Sequence, residues 1–382
     1  MNKKNIFLMN VIMLLQGLVF YGPIATVYRL NKGINIKEIF LIETVFIISN
    51  LLFEVPWGIF ADKFGYKKTI VISNLIFFIS KIIFFKANSL GLFIIERIFL
   101  AIAISGLSGV DSAIIYESLE NKEESEKAFS KYVGCSNVGY LLGSLLSIVI
   151  VSKSMDLAVF YTIIPYGLAF ILSLFLKDTN YIATKKVSLI NNFKSIINNK
   201  NIFIFIFGTV ILTEVAHGIT VFLNQNQYVK SGINIKYFGL IVVFNQLLKI
   251  LGIKTYKISN KIGSINLILI NSIIIGISSF ILVFTNSKIF SITLISIISL
   301  TIALIEPIIL DIKNKSVKTE DRATVLSLYS IIGSIVSLIV NPYVGKYAEV
   351  SIEQGFIFCS LIVFIAFILI IYYKKLQSKE IK

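Results

Sequence analysis

The chain is poor in charge. Of its 382 residues, 15% are Asp, Glu, Lys or Arg and 56% are hydrophobic, whereas a soluble domain carries about a quarter charged residues. It has two cysteines, one histidine, one tryptophan and five prolines. Cys135 and Cys359 both fall within apolar runs and lack metal-ligand spacing, so they are read as small packing residues rather than a disulfide framework or a metal site. There is no H-E-x-x-H around His217 and no G-x-x-x-x-G-K-[ST] anywhere, which excludes those zinc and nucleotide sites. No cofactor and no metal are expected. What the chain has in quantity is apolar runs of roughly 20 residues, the length of a membrane-crossing helix. The net charge of +15 is accordingly read as lysine retained at one membrane surface, not as a nucleic-acid footprint.

Twelve spans fit, near 6–28, 37–57, 69–87, 90–114, 129–151, 157–176, 201–223, 236–256, 264–285, 288–311, 323–345 and 353–373. The first begins after lysines but is too long for a signal peptide, so it is read as a mature helix. The ninth and tenth are separated only by Asn286 to Lys288. With both termini inside, most of the 36 Lys and Arg lie in inner loops and tails. The outside keeps Arg29, Lys32, Lys37, Lys86, Lys153, Lys230, Lys236, Lys288 and Lys346. That bias favours cytoplasmic termini. The longest loop divides the spans six and six. The expected organisation is an N-terminal half over 1–176, a basic linker over 177–200 with a short interfacial helix near Val187 to Ile197, and a C-terminal half over 201–382. Two such halves suggest a transporter built from repeats.

The stretch Gly58 to Lys68, G-I-F-A-D-K-F-G-Y-K-K, reads as a short charged hairpin turn between the second and third spans. The loop after the eighth span, Lys254 to Ser264, carries lysines and a glycine but no acid. Gly58, Asp62, Gly65, Lys67 and Lys68 fit G-x-x-x-D-x-x-G-x-(R/K)-(R/K), and Glu54-Val55-Pro56-Trp57 precede them. The fourth span has Glu96-Arg97, then Ser108, Gly109, Ala113, Tyr116, Glu117 and Ser118. Asp321 to Ser327 lead into the eleventh span. Together these residues resemble the major facilitator superfamily, in particular its bacterial drug-exporter-like members. Arg97 is followed by Ala101 and Ala103 where the family pattern has glycines. The fifth span has Gly139 and Gly143 but lacks the proline of the antiporter motif.

The resemblance implies an all-α membrane protein with twelve helices in two pseudo-symmetric halves. It also implies that Asp62 belongs to an inner gate and that Arg97 takes part in proton coupling. From the residues themselves, a charge in hydrocarbon is costly, so Arg97 should face the bundle interior or reach the interface. Glu214 and His217, three apart in the seventh span, share a helix face. A carboxylate near mid-span suits a site alternating between protonated and charged states. Glu43 is a further coupling candidate. Gln16, Phe20, Tyr21, Tyr140, Asn245 and Gln246 are candidate cavity contacts. The polar and glycine residues of the first span (Gln16, Gly17, Tyr21, Gly22, Pro23) and of the seventh (Glu214, His217, Gly218) mark both as places where a helix can unwind beside a cavity.

Blander roles are expected elsewhere. Glu96 belongs near the outer surface. Lys81, Lys131 and Lys249 should snorkel. Asn224 to Gln227 should meet outside water. Asp111, Glu117, Glu306 and Asp311 cap helices or pair with loop lysines, and Pro307 breaks or bends its span. The function implied is not enzymatic: a secondary transporter, expected to export small amphipathic compounds or drugs in exchange for protons. The alternative is proton-coupled uptake of a small metabolite. The expected partners are the solute, protons and membrane lipids, and the protein is expected to be a monomer in a bacterial inner membrane.

Overall fold

The computed structural model describes residues 3–178, 200–316 and 322–380. The expected linker helix and the lead-in at Asp321 lie outside the described residues. All regular structure among the described residues is helical, and twelve stretches are long and apolar enough to cross a membrane. The split between the ninth and tenth spans falls where expected, with helices ending at Phe284 and resuming at Lys288.

Two compact units form. Unit 1 comprises residues 1–34, 45–184 and 235–243; unit 2 comprises 35–44, 185–234 and 244–382. In unit 1 the helices are α1 (Lys3–Gly17), α2 (Ala25–Asn31), most of α3 (Ile36–Phe64), α4 (Tyr66–Lys86), α5 (Leu90–Leu107), α6 (Val110–Ser118), α7 (Ser125–Lys153) and α8 (Met155–Leu174). Unit 2 holds α9 (Lys200–His217), α10 (Asn224–Lys230), the second half of α11 (Phe238–Lys249), α12 (Thr255–Ile262), α13 (Ser264–Phe284), α14 (Lys288–Lys315), α15 (Arg322–Val350) and α16 (Ile352–Glu380). The packing repeats. In unit 1, α1 packs on α7 and α8, and α4 packs on α5 and α8. In unit 2, α9 packs on α15 and α16, and α13 packs on α14 and α16.

The repeat extends to the turns. Gly33 and Gly232 both take left-handed backbone, with φ of 84° and 73°. Each ends its helix with the same pair of bonds. The Gly33 and Ile34 N–H groups donate to Leu30 O (3.0 Å) and Arg29 O (3.1 Å). Those of Gly232 and Ile233 donate to Val229 O (2.9 Å) and Tyr228 O (2.9 Å). This is the Schellman arrangement, which satisfies the last carbonyls of a helix and needs glycine at its left-handed position. The sequence around the two is G-I-N-I-K in both cases, at Gly33 to Lys37 and Gly232 to Lys236. Gly65 and Gly263, with φ of 87° and 88°, begin α4 and α13 in the same way.

The stretch Gly58 to Lys68 is not a loop. α3 continues through it to Phe64 and α4 starts at Tyr66, so the turn is Gly65 alone. Trp57, Phe60 and Phe64, one turn apart, carry the helix onward: ring centroids lie 5.2 Å apart for Trp57–Phe60 and 4.5 Å for Phe60–Phe64. Such i,i+3 and i,i+4 pairs stabilise a helix. Pro307 does not break its span either; it lies inside the continuous α14. The fourth span, by contrast, does break, at Ser108-Gly109, where Gly109 has φ 77°.

Candidate functional site

In unit 2, Glu214 is held by two side chains of α15. It sits one turn before the end of α9, half-buried. Ser337 Oγ donates to its Oε2 at 2.6 Å, and Asn341 Nδ2 donates to its Oε1 at 3.1 Å. Ser337 and Asn341 are four apart on α15 and therefore project from one face. Both are buried. Two neutral donors hold this carboxylate in a fixed orientation, and among the described residues it is in no ion pair. Thr209, Val210 and Thr213 of α9 and Glu306, Ile309, Leu310 and Lys313 of α14 line a cavity of about 360 Å³. His217 shares the Glu214 face in sequence, but is exposed and meets the edge of Phe222 at 5.6 Å. Just past it, residues Gly218–Leu223 form a π-helical segment, the unwinding expected there. Glu43, on α3, is half-buried in unit 2. Asn245 and Gln246 are half-buried on α11, with Asn245 facing the Tyr228 hydroxyl.

In unit 1 the first span is broken, again at the predicted place. α1 ends at Gly17 and helix resumes at Gly22. The freed backbone groups find side-chain partners, as burial requires. The Tyr166 hydroxyl donates to Gln16 O at 2.7 Å, and the Phe20 N–H donates to Thr162 Oγ1 at 3.1 Å. The Gln16 amide donates to Asn74 Oδ1 at 2.8 Å. Gly17 and Gly139 allow α1 and α7 to touch by their backbones: a β-carbon at Gly139 would lie 3.0 Å from the Gly17 Cα. Tyr140 packs against Gly22.

Three basic or acidic groups occupy places the sequence reading did not give them. Lys81 does not snorkel. It is 4% exposed, donates to the Tyr21 hydroxyl at 3.1 Å and lies 4.9 Å and 4.8 Å from the Phe77 and Tyr166 ring centres. These π faces attract the ammonium group. Lys131 and Lys249, by contrast, are exposed. Glu96 is not at the surface: it is 0% exposed, with the Arg97 Nε 3.8 Å from its Oε2 and within electrostatic reach of Tyr166. Arg97 itself is largely buried and lies over Phe46 at 5.8 Å. Arg29, counted with the outer charges, is buried against Phe84 and Phe93 at 5.0 and 5.8 Å. Around Lys81 and Arg29 the aromatic faces attract the buried cation.

Asp62 is exposed near the end of α3. Gly65 supplies the left-handed turn, whereas Gly58 has open space where a side chain would stand, so its absent side chain serves no close helix approach here. Lys67 is half-buried and Lys68 exposed. In unit 2, Asn260 stands three residues before Gly263, as Asp62 stands before Gly65. The remaining acids divide between capping and pairing. Asp111 accepts from the Ser112 N–H and the Tyr132 hydroxyl, at 2.6 and 3.0 Å. Glu117 and Asp311 pair with Lys122 (3.6 Å) and Lys315 (2.7 Å). The run Asn224 to Gln227 is mostly buried rather than facing water: Gln227 Nε2 donates to Thr285 O and Ser291 Oγ, both at 2.9 Å.

Ser337 and Asn341 were missed because each is an ordinary polar residue in an apolar run. Their i,i+4 spacing was the available signal.

The fold is similar to that of the nucleoside transporter NupG, with a TM-score of 0.81 at 13% identity over 98% of this chain and 99% of that one. It is also similar to a bacterial homolog of the human lysosomal transporter Spinster, with a TM-score of 0.79 at 12% identity over 97% and 96%. In sequence, an uncharacterized transporter of Buchnera aphidicola (subsp. Schizaphis graminum) is 31% identical over 51% of this chain and 49% of its own length. The uncharacterized MFS-type transporter YxaM of Bacillus subtilis is 29% identical over 43% and 41%. The chain thus spans about half the length of the curated relatives it matches. The family model for the Major Facilitator Superfamily matches residues 6–341, nearly the whole run of spans, and the chain belongs to that superfamily.

Proposed function

We propose that the chain is a secondary transporter that takes up a small polar metabolite together with protons, by alternating access. The observation that carries this reading is the Glu214 carboxylate, oriented by Ser337 and Asn341 and next in the chain to Thr213, which lines a cavity. A protonatable group among neutral donors can change charge without losing a salt bridge, which suits coupling. The cavity lining joins two threonines, an acid and a lysine to Val210, Ile309 and Leu310, which suits a small solute with hydrogen-bonding groups and an apolar face. A structural relative whose cargo is named carries nucleosides. Export of amphipathic compounds in exchange for protons is the second reading; it is supported by the Asp62 motif and the glycine contact of the fifth span. In either case Asp62 acts as the gate residue, Arg97 tunes coupling, the protein works as a monomer and both termini are cytoplasmic in a bacterial inner membrane. The burial of Arg29 supports that orientation by removing one charge from the outer side.

Proteoliposomes test the choice. With an inward proton gradient, radiolabelled uridine should accumulate and collapse of the gradient should abolish accumulation. If uridine and a panel of small metabolites stay outside while ethidium moves against its gradient, uptake is wrong and export replaces it.

A further inference from the structure

Glu96 takes no part in the coupling described above, yet it is the most deeply placed acid of unit 1. It stands in the second turn of α5 and is 0% exposed. Among the described residues neither of its oxygens accepts a hydrogen bond. A buried carboxylate is ordinarily hydrogen-bonded, because burying its charge otherwise is costly. What faces Glu96 instead is positive charge and aromatic rings. Arg97 Nε lies 3.8 Å from Oε2. Lys81, on the adjacent helix α4, is 4% exposed. Tyr166 of α8 links the two: Lys81 Nζ is 4.8 Å from its ring centre, and Glu96 lies within electrostatic reach of it. Tyr21 and Arg29 complete the surrounding titratable groups. Tyr21 accepts from Lys81, and the Arg29 guanidinium lies over Phe93, one turn before Glu96.

The same cluster holds the unwound stretch of the first span at both of its edges. The Tyr166 hydroxyl donates to Gln16 O at 2.7 Å, and Lys81 donates to the Tyr21 hydroxyl at 3.1 Å. With Glu96 ionised, its negative charge offsets the buried cations Lys81 and Arg97. With Glu96 protonated, both cations remain in surroundings of low dielectric with one negative charge fewer, and like charges repel strongly there. Glu96 makes no hydrogen bond, so the proton breaks none and only the charge changes. We propose that Glu96 is a positioning residue for residues 18–21, and that a proton taken up on its carboxylate releases this stretch from Lys81 and Tyr166. The stretch is closed while Glu96 is ionised and opens as the pH falls. Gln16, Phe20 and Tyr21, the candidate cavity contacts of the first span, lie on or beside it, so its release weakens the hold on the solute. That consequence rests on the transport reading; the release itself does not.

Hydrogen–deuterium exchange of the full-length protein in detergent tests the release without any solute. It is read by mass spectrometry on peptides that include Phe20, whose N–H is bonded to Thr162 Oγ1 in the closed stretch. Rates are corrected for the intrinsic pH dependence of amide exchange. From about pH 9 down to about pH 5, exchange of this stretch should rise roughly tenfold, as a local opening does when it becomes easier. Glu96→Gln should exchange at the fast rate throughout, and Glu96→Asp should keep the transition. A flat profile in the unmodified protein overturns the proposal, and that measurement needs no variant to fold. So does a transition that persists in folded Glu96→Gln. In proteoliposomes at equal pH on both sides, Glu96→Gln should raise the KM for exchange of radiolabelled uridine roughly fivefold, the weight of one hydrogen bond, with little change in kcat. An unchanged KM alongside the amide transition overturns the consequence for the solute. Uridine that never moves in the unmodified protein, with the transition present, counts against the uptake reading and leaves the release standing.

Discussion

At the scale of the residue, the molecule distinguishes charges that are held from charges that are merely present. Glu214 is held by Ser337 and Asn341. Each hydrogen bond to an ionised group contributes about 1.5–3 kcal/mol. Replacing Ser337 by Ala or Asn341 by Leu should therefore weaken solute-coupled transport by at least roughly tenfold. Glu214→Gln should remove its dependence on the proton gradient while leaving solute exchange. Proteoliposome uptake at varied gradient checks both, and unaltered gradient dependence in Glu214→Gln would take that residue out of the mechanism. Lys81 carries a structural charge. Lys81→Met loses the Tyr21 hydrogen bond and two close ring faces. A cost of about 2 kcal/mol follows for a desolvated cation–π contact. A lower melting temperature in detergent, read from the single Trp57, is the expected result. Glu96→Gln added to it should restore part of the loss, since the buried carboxylate would then carry no charge.

At the scale of the element, breaks matter more than helices. The first, fourth and seventh spans are each interrupted, at residues 18–21, at Ser108-Gly109 and at the π-helical 218–223. Gln16-Gly17 and His217-Gly218 made two of these breaks legible in the sequence, because glycine beside a polar residue both permits unwinding and offers a partner. The third is present in the sequence as Ser108-Gly109, within the family-like pattern of the fourth span. Conversely, the expected turn at Gly58 to Lys68 is mostly helix, with Trp57, Phe60 and Phe64 in contact along one side of α3. The α1–α7 crossing predicts a clear failure. A valine at Gly139 would force apart helices whose backbones touch. Overpacking of this kind costs about 1–3 kcal/mol, so Gly139→Val should lower the melting temperature and the yield of folded protein. Gly58→Ala, with open space around it, should change neither.

At the scale of the whole molecule, the repeat is the organising fact. Gly33 and Gly232, and Gly65 and Gly263, end or begin corresponding helices with the same backbone sign. One asymmetry of charge stands out within that repeat: Asp62 in the first half, Asn260 in the second. Asp62→Asn, which makes the halves alike, should leave folding intact and slow transport at least roughly tenfold, the effect of losing one charge-assisted contact. Unchanged initial rates in proteoliposomes would remove Asp62 from the gate. The sequence by itself determined the twelve spans and the superfamily, because span length is set by the bilayer and the motif residues need no tertiary information. Only the tertiary structure decided which charges are buried and what they touch. Lys81 and Arg29 have stems long enough to reach either an interface or an aromatic interior, and Ser337 becomes a ligand of Glu214 only because α9 and α15 pack side by side. Gly58 to Lys68 shows the same division: its residues announced the superfamily, but the packing of aromatic rings decided that nearly all of it is helix and that a single glycine makes the turn.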